Sequence, residues 1–224
     1  MSENAPGSGI DVFIPWRPHP SREASLIFAL EWWESHGFTT HLIDTGDVPF
    51  NLAACRNLAV RSASSHVVIL ADADTVPELP ALLQAMALAS DELGTVLPYT
   101  EYRSLGARGS ADARIGRDLE HCPHLVIQDA CSGIYVTTRG GWAKHHGQDE
   151  LFSGWGCEDA AWWIAHETLV GVPRRTHGHV YALTHESQDK DGEPTRSNYA
   201  RIFHYEQARG DRARILELLT GMSQ

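Results

Sequence analysis

The stretch His66-Val67-Val68-Ile69-Leu70-Ala71-Asp72-Ala73-Asp74 decides the fold. Its first part is apolar and partly β-branched, which is typical of a buried strand. Its end places two carboxylates, at i and i+2, directly after that strand. Open α/β sheets bind ligands at the carboxyl ends of their strands. The carboxylates of Asp72 and Asp74 are therefore candidate hard oxygen ligands for Mg²⁺ or Mn²⁺. Because Asp-x-Asp is short and frequent, a solvated turn is the alternative interpretation.

Strand and helix patterns alternate on both sides of this stretch. The patterns predict strands over 11–14, 39–43, 66–71, 95–97 and 180–183, and helices after a Ser21 cap and over 52–63, 77–93, 158–167 and 211–219. This alternation predicts a parallel sheet with right-handed crossovers. The arginine-rich segment 103–118 and the polar segment 186–197 are interpreted as loops, and Gly140-Gly141 as a turn.

The composition indicates one globular domain. The chain has 224 residues, of which 42% are hydrophobic, and we expect a single domain over 10–224 after a disordered polar tail over 1–9. No apolar stretch reaches the roughly 20 residues that span a bilayer, and no signal peptide precedes the domain, so a cytoplasmic location is expected. The net charge of −11 disfavours nonspecific binding to nucleic acid or anionic membranes. The four cysteines lack zinc-type spacing and are interpreted as free thiols.

A second candidate site is Gly154-Trp155-Gly156-Cys157-Glu158-Asp159. Two glycines around a tryptophan allow a tight turn that presents the indole to a cleft. Glu158 and Asp159 then fall at a helix N-terminus, where the helix dipole stabilises carboxylates. The alternative interpretation is simple helix capping by acidic residues. The functional interpretation is acceptor binding by Trp155 beside a carboxylate general base.

Histidines near the last predicted strand form a third candidate. His177, His179 and His185 share one face of an extended strand, but His179 and His185 would lie about 20 Å apart along it. They therefore cannot bind one metal ion together. His185, at the far end of the strand, is the better ligand candidate, and His177 and His179 are interpreted as ordinary, partly buried histidines.

Polar and aromatic residues after the first strand form a fourth candidate. Pro15-Trp16-Arg17 follows that strand, and Asn51, Arg56 and Asn57 lie on the next helix. An arginine and an aromatic ring at a strand end suit a diphosphate and a stacked base. The alternative interpretations are that Arg56 is a surface residue and that Trp16 belongs to the core. No P-loop, dinucleotide-binding fingerprint or nucleophile elbow appears, which disfavours those enzyme classes.

Taken in order, these motifs resemble the beta-1,4-galactosyltransferase family. The resemblance rests on Ile14-Pro15-Trp16-Arg17, Phe50-Asn51-Leu52-Ala53 running to Asn57, Asp72-Ala73-Asp74, Ser132-Gly133, Gly-Trp-Gly-Cys-Glu-Asp, His185 and Glu193-Pro194. It covers residues 11 to 205. The Gly-Trp-Gly element is also similar to the polypeptide N-acetylgalactosaminyltransferases, which are retaining enzymes. The resemblance implies the GT-A fold, a single nucleotide-binding mixed α/β sheet flanked by helices.

The resemblance also implies site roles. Pro15, Trp16, Arg17, Asn51, Arg56, Asn57 and Asp72 would bind the donor. Asp74 and His185 would bind Mn²⁺ or Mg²⁺, with Asp72 orienting the metal shell. Trp155, Gly154 and Gly133 would contact the sugars. Asp159 would be the general base and Glu158 would bind acceptor hydroxyls, while a loop over 186–198 would close on the donor.

Two departures from the family pattern affect this site. Ala182 stands where the family has a methionine ligand, which leaves the metal preference open. Cys157 replaces a glycine, and Ala160-Ala161 follows the acidic pair, which predicts a different acceptor pocket.

The expected activity is a metal-dependent hexosyltransferase that uses a nucleotide diphosphate sugar, with UDP the expected nucleotide, and inverts the anomeric centre. The acceptor is a hydroxyl of a glycan, small molecule, protein or modified nucleic acid. A retaining transferase, a sugar-nucleotide pyrophosphorylase and a non-catalytic nucleotide-sugar-binding domain are the alternatives.

Overall fold

A parallel three-stranded unit forms the first part of the chain in the computed structural model, which describes residues 6–91, 93–186 and 192–221. The unit comprises β1 (Asp11–Pro15), α1 (Glu23–Ser35), β2 (Thr39–Ile43), α2 (Leu52–Ser62) and β3 (Val67–Ala71). β1 and β3 are buried along their whole length, as their apolar sequences predict. β1 lies between β2 and β3 and runs parallel to both. The predicted strands and their parallel pairing are thus confirmed for this half.

The second part of the chain adds shorter elements. They are β4 (Thr75–Pro77), α3 (Leu79–Ala89), β5 (Val96–Leu97), β6 (Glu101–Ser104), α4 (Gly106–Arg114), a 3₁₀ turn (Leu119–His121), β7 (Leu125–Ile127), β8 (Ile134–Thr138), α5 (Arg139–Lys144), α6 (Glu158–Leu169), β9 (Arg174–Arg175), β10 (His179–Ala182), α7 (Glu193–Ala208) and α8 (Arg212–Thr220).

The strands form two sheets. The larger has the order β2-β1-β3-β8-β5-β9, and it is mixed because β8 runs antiparallel to both β3 and β5. This is the mixed sheet flanked by helices that the resemblance implies. The smaller sheet has the order β4-β10-β6-β7 and was not predicted from the sequence.

The short segment between β3 and β4 joins the two sheets. Asp72 closes the larger sheet, where its amide donates to the Gly133 carbonyl at 2.8 Å. Asp74 opens the smaller one, where its carbonyl accepts the Leu183 amide at 2.8 Å. Both carboxylates therefore lie at the junction of the sheets.

Two hydrophobic clusters support this junction. The larger surrounds the six-stranded sheet and includes Trp33, Tyr135 and Trp162. The smaller lies between α6, α7 and α8, around Phe152, Ile164 and Tyr205. Residues 6–9 form a turn in which the Gly7 amide donates to the His36 carbonyl at 3.1 Å, so this part of the predicted tail packs on the domain.

Several predicted loops and helix ends are wrong. The segment 103–118 contains the end of β6 and all of α4. Two contacts hold α4 in place: Ser110 accepts the Thr184 amide at 2.8 Å, and Arg114 donates to Ser25 at 2.9 Å. Gly141 lies inside α5, where a side chain would meet the Gly94 carbonyl. The predicted 77–93 helix begins only at Leu79, since Thr75–Pro77 forms β4.

Helix starts account for two further differences. Arg22 rather than Ser21 occupies the N-cap of α1, without a side-chain cap. The predicted loop over 186–197 overlaps α7, which begins at Glu193 and has a proline in its first turn. The predicted closing loop over 186–198 falls partly on 187–191, outside the described residues. Among the described residues, no helix is long and apolar enough to cross a membrane.

Candidate active site

A cleft of about 410 Å³ opens where the carboxyl ends of β1 and β3 face the amino end of α6. It collects residues that are far apart in the sequence. The predicted site residues that line it are Pro15, Asp72, Asp74, Gly154, Trp155, Glu158, Asp159 and His185. The fold thus brings the proposed metal ligands and the proposed base to one cavity.

Asp74 and His185 contact each other on one side of the cleft. Nε2 of His185 lies 2.9 Å from Oδ2 of Asp74, and Nδ1 of His185 lies 2.8 Å from the Glu186 carbonyl. The hydrogen bond to Asp74 raises the pKa of His185. Two neighbouring ligands of one Mn²⁺ or Mg²⁺ ion lie about 3 Å apart, since each sits at about 2.1 Å from the metal. The spacing of this pair therefore fits a divalent cation, with the Glu186 carbonyl fixing the imidazole orientation.

Ala182 lies three residues before His185, at the end of β10. Its side chain is buried, with 6% exposed, and it offers no ligand atom. The protein ligands are therefore the Asp74 carboxylate and the His185 imidazole. This donor set suits Mn²⁺ or Mg²⁺, with water and phosphate oxygens as the remaining ligands.

Arg56 lies beneath the other side of the cleft. Its side chain is 1% exposed, and its guanidinium packs over the Tyr135 ring at 4.9 Å. Nη2 donates to Oδ1 of Asp72 at 2.7 Å, and Nη1 donates to Oδ1 of Asp159 at 2.9 Å and to Oε1 of Gln148 at 3.0 Å. We predicted that Arg56 binds the donor. In the structure the guanidinium is buried, and its donors contact two carboxylates and the Gln148 side chain.

The carboxylates around Arg56 carry more negative charge than one guanidinium neutralises. Burial raises the pKa of Glu158, the Asp159 carboxylate raises it further, and Arg56 opposes the shift. Burial likewise raises the pKa of Asp72, which Arg56 again opposes. Burial alone would lower the pKa of Arg56, but Tyr135 and the carboxylates raise it well above its ordinary range. The cation therefore stays charged and holds the acidic groups together.

Only one carboxylate oxygen of Asp159, Oδ1, accepts hydrogen bonds from the described residues. Oδ1 accepts from Arg56 and also from the Tyr135 hydroxyl. Burial raises the pKa of Tyr135, which keeps that phenol protonated and able to donate. The side chain of Asp159 is 23% exposed and borders the cleft. This arrangement orients a carboxylate toward the cleft, as a general base requires.

A tight turn delivers the acidic pair to the cleft. Gly154, Gly156 and Cys157 all have left-handed backbone conformations, with φ of 70°, 99° and 75°. The turn is fixed by the Gly154 amide, which donates to the Phe50 carbonyl at 2.9 Å, and by Asn198, which donates to the Trp155 carbonyl at 3.0 Å. Cys157 is therefore the residue in this turn that adopts a glycine-like conformation with a side chain.

Two predicted donor residues lie outside the cleft lining. Arg17 donates to both Asp44 carboxylate oxygens, at 2.7 and 2.8 Å, and packs over the Phe50 ring at 5.1 Å. Trp16 is partly buried against the main hydrophobic cluster. Phe50 itself lines the cleft, so Arg17 acts on the cleft wall rather than in the cavity.

The two predicted donor asparagines have structural partners instead. Asn51 caps α2 by accepting the Ala54 amide at 2.9 Å and donates to the Glu150 carbonyl at 2.7 Å. The Asn57 amide donates to the Gln148 carbonyl at 2.7 Å and accepts from the Trp142 indole at 2.9 Å. Neither asparagine lines the cleft, and both amides are used in contacts within the protein.

Gly133 supports Asp72 rather than lining the cleft. Its carbonyl accepts the Asp72 amide, and its φ of 89° leaves room for the Tyr102 ring, which a side chain would meet at 3.0 Å.

Neither His177 nor His179 lines this cleft, and His177 is exposed rather than partly buried as predicted. His179 contacts Glu78 at 2.7 Å and Arg103 at 2.8 Å. Together with Glu78 and Glu120 it has ligand-type atoms within 4.8 Å of one another, but the Arg103 guanidinium already supplies positive charge there.

Sequence reasoning missed several residues of the site. Tyr135 and Gln148 contact Arg56 or Asp159, and Arg22, Tyr102 and Tyr199 line the cleft. Tyr135 sits in a strand whose pattern indicates only burial, so the sequence contains no signal for its hydroxyl contact.

Comparisons with known proteins identify the fold. The chain matches a Drosophila beta-1,4-galactosyltransferase 7 mutant, solved in complex with manganese, UDP-Gal and xylobiose, with a TM-score of 0.50 and 14% identity over 77% of this chain and 64% of that chain. It matches GalNAc-T7, solved with UDP, GalNAc and Mn²⁺, with a TM-score of 0.54 and 12% identity over 90% of this chain and 43% of that chain.

The chain has the GT-A glycosyltransferase fold. It spans less than two thirds of the length of either protein. No family model and no curated protein sequence matches the chain.

Proposed function

We propose that this GT-A chain is a metal-dependent glycosyltransferase that moves a hexose-type sugar from a nucleotide diphosphate sugar to an acceptor hydroxyl, with inversion. The observation that carries the proposal is the single cleft in which the Asp74–His185 pair faces the anchored carboxylate of Asp159. The UDP and Mn²⁺ in the two similar structures favour a UDP-sugar and Mn²⁺ here.

Asp74 and His185 would hold the cation, with Asp72 beside them. A bound divalent cation would neutralise charge on the leaving diphosphate. Pro15 and Phe50 border the same cavity and would form the wall against which the nucleotide packs. Trp155 would pack on the transferred sugar and its acceptor.

Asp159 would take the proton from the acceptor hydroxyl. That oxygen then bonds to the anomeric carbon as the bond from this carbon to the diphosphate oxygen breaks. Arg56 and the Tyr135 hydroxyl hold Oδ1 of Asp159 in place through this step. Glu158 lies next to the base, where its raised pKa favours the protonated carboxyl that can donate to an acceptor oxygen.

The test is to incubate the protein with Mn²⁺ and a panel of nucleotide sugars and to resolve the products by ion-exchange chromatography. Release of a nucleoside diphosphate with a matching loss of donor is the expected result. EDTA in excess should abolish it. Release of pyrophosphate would identify a pyrophosphorylase instead, and donor binding without any turnover would identify a binding domain.

Asp159→Asn tests the base directly. The amide keeps the size of the side chain but cannot accept the proton, so turnover should fall by about 100-fold or more while donor binding, measured by thermal shift, is retained. Near-normal turnover in this variant would overturn the assignment. The anomeric configuration of the product, read by NMR, separates inversion from retention.

A further inference from the structure

A cavity of about 680 Å³ shares no lining residue with the catalytic cleft. Its wall is formed by parts of α2 and α5, the segment 146–151 and the end of α8. Val60, Trp142, Leu218 and Leu219 give it an apolar part. The proposed transfer reaction uses none of these residues. We call this space the Gln148 cavity.

Gln148 connects this cavity to the proposed general base. Gln148 lines the cavity, and its Oε1 accepts from Nη1 of Arg56 at 3.0 Å. The same Nη1 donates to Oδ1 of Asp159 at 2.9 Å. Two hydrogen bonds therefore link a residue of the cavity wall to the carboxylate that borders the catalytic cleft.

The amide nitrogen of Gln148 is a buried donor. The residue is 2% exposed, and its Nε2 has no hydrogen-bond partner among the described residues. Because a guanidinium can only donate, Oε1 must face Arg56, and the amide cannot turn over to find a partner for its nitrogen. A buried donor without an acceptor is unfavourable, so an acceptor atom on a ligand would be stabilised here.

The backbone of Gln148 is also held in place. Asn57 donates to the Gln148 carbonyl at 2.7 Å and accepts the Gln148 amide at 3.0 Å. The indole of Trp142, in the apolar part of the wall, donates to the same Asn57 oxygen at 2.9 Å. A ligand that contacts the Gln148 side chain would therefore meet a fixed backbone.

The two acidic residues of the cavity wall are already compensated. Asp149 pairs with Arg201 at 2.5 Å, and Glu150 lies 3.7 Å from Arg61, which also lines the cavity. These contacts leave little net charge from the four side chains.

Arg139 adds a positive charge to this wall. It is exposed, and its Nη2 donates to the Ala63 carbonyl at 2.9 Å, which is a neutral group. Within the described part of the chain, no carboxylate lies within 4 Å of its guanidinium. One negative charge on a ligand would match it, whereas a phosphate dianion would exceed it. The exposed His146 also lines the cavity and adds positive charge only when it is protonated.

We propose that the Gln148 cavity binds a small amphipathic carboxylate that raises the rate of the transfer reaction. The carboxylate would accept from Nε2 of Gln148 and offset the charge of Arg139, and the apolar part would pack against Trp142. A ligand that holds the Gln148 amide also holds Arg56 on Asp159, so ligand binding and the productive position of the base favour each other. The effect on rate rests on the proposed glycosyltransferase function, whereas the binding site does not.

NMR of the ¹⁵N-labelled protein tests binding. The probes are phenylacetate and hexanoate, with phenylacetamide as a neutral match for the first. Saturable shifts are expected for the Gln148 side-chain amide, which is assigned by its loss in Gln148→Met, and for the Trp142 indole. Phenylacetate should bind about fivefold more tightly than phenylacetamide, because only the carboxylate pairs with Arg139.

Arg139→Gln and Arg214→Gln form a matched pair for this test. Both arginines are exposed and donate to a backbone carbonyl, in the case of Arg214 that of Gln207 at 3.4 Å. Arg139→Gln should weaken phenylacetate about fivefold and leave phenylacetamide unchanged, whereas Arg214→Gln should alter neither.

A second pair of variants blocks the cavity. Ala143 is exposed on α5 and lines the cavity, so the ring in Ala143→Phe should abolish binding of both carboxylates. Ala111 is exposed on α4 and lies outside the cavity wall, so Ala111→Phe should bind them as the wild type does.

The link to the base has two measurements. Saturating phenylacetate should raise kcat about twofold or more, because the base is held more firmly, and Gln148→Met should remove this rise. The Nε–H signal of Arg56 should shift with the same binding constant as the Gln148 amide, and this shift does not depend on turnover.

The proposal is overturned if neither carboxylate shifts the Gln148 and Trp142 signals, or if Arg139→Gln binds phenylacetate as tightly as the wild type. It is also overturned if bound phenylacetate leaves kcat unchanged in an active protein, or leaves the Arg56 signal in place. A shift at Arg56 in a protein that turns over no nucleotide sugar would instead reject the proposed glycosyltransferase function and support the site.

Discussion

The two sides of the cleft are built differently. On one side, buried Arg56 joins Asp72, Asp159 and Gln148 in a network that also includes Tyr135. On the other, Asp74 and His185 meet in a single contact, with side chains 18% and 25% exposed. The first side is held by a network of contacts and charges, whereas the second, which we call the open side, is held by one contact. A general base must be held in one position. Metal ligands are instead drawn into position by the charge of the cation that they bind.

Arg56→Met tests the fixed side and should have the largest effect. It leaves buried Glu158 and the partly buried Asp72 and Asp159 without their cation, which costs about 3–5 kcal/mol in the free energy of unfolding. Urea unfolding measures this. Arg61→Met, on the same helix but with a side chain 63% exposed, is the control and should change stability by about 0.5 kcal/mol or less. Equal effects of the two variants would contradict a network centred on Arg56.

His185→Ala tests the open side and should separate activity from stability. Loss of one of two protein ligands should lower Mn²⁺-dependent turnover by about 100-fold, while the free energy of unfolding changes by about 1 kcal/mol at most. The exposed His177 provides the control, since His177→Ala should alter neither the Mn²⁺-dependent turnover nor the free energy of unfolding. A large loss of stability in His185→Ala without a change in the Mn²⁺ requirement would show that the contact with Asp74 is only structural.

Tyr135→Phe sharpens the comparison within the fixed side. The ring stays beneath Arg56, but Asp159 loses one of the two donors that hold its Oδ1. We expect kcat to fall about tenfold with KM unchanged, because the base is held less firmly in position. Tyr99→Phe removes an equally buried hydroxyl that donates to the Ser132 carbonyl at 2.6 Å, and it should leave kcat unchanged. An unchanged kcat in Tyr135→Phe would reject the orienting role.

Glu158→Gln should change the pH dependence of stability. The raised pKa means that the folded state keeps a proton that the unfolded state has lost above the ordinary value of 4.5. Stability therefore falls as the pH rises above that value, and one such group contributes at most about 1.4 kcal/mol per pH unit. Unfolding by urea between pH 5 and 8 should show a shallower fall in Glu158→Gln. Glu31→Gln, on the exposed face of α1, should keep the wild-type slope.

The same contrast explains what the sequence predicts well. Residues with local signals, such as the strand before Asp72 and the Gly-Trp-Gly turn before Glu158, were assigned to the right elements, because apolar runs and glycines act on their own neighbours. The mixed sheet and the GT-A fold followed from the order of these motifs. Asp74 and His185 are in contact because Asp74 precedes β4 and His185 follows β10, and these two strands pair antiparallel.

Contacts between distant parts of the chain have no local signal. Arg56 resembles a surface arginine in its helix, and only the fold brings it to Asp72 and to Asp159, 16 and 103 residues away. The motif that contains Asn51 and Asn57 does not indicate that their amides contact the segment 148–150. The arginine-rich segment 103–118 folds because Thr184 and Ser25 supply partners that its own sequence does not indicate.

The short passage from β3 to β4 has a consequence for how the molecule deforms. The amide of Asp72 is tied to one sheet and the carbonyl of Asp74 to the other, with Ala73 alone between them. Any sliding or twisting of one sheet against the other must change the separation of these two carboxylates. A pair of probes on the outer strands β2 and β7 would therefore report, from the surface, on the spacing inside the cleft.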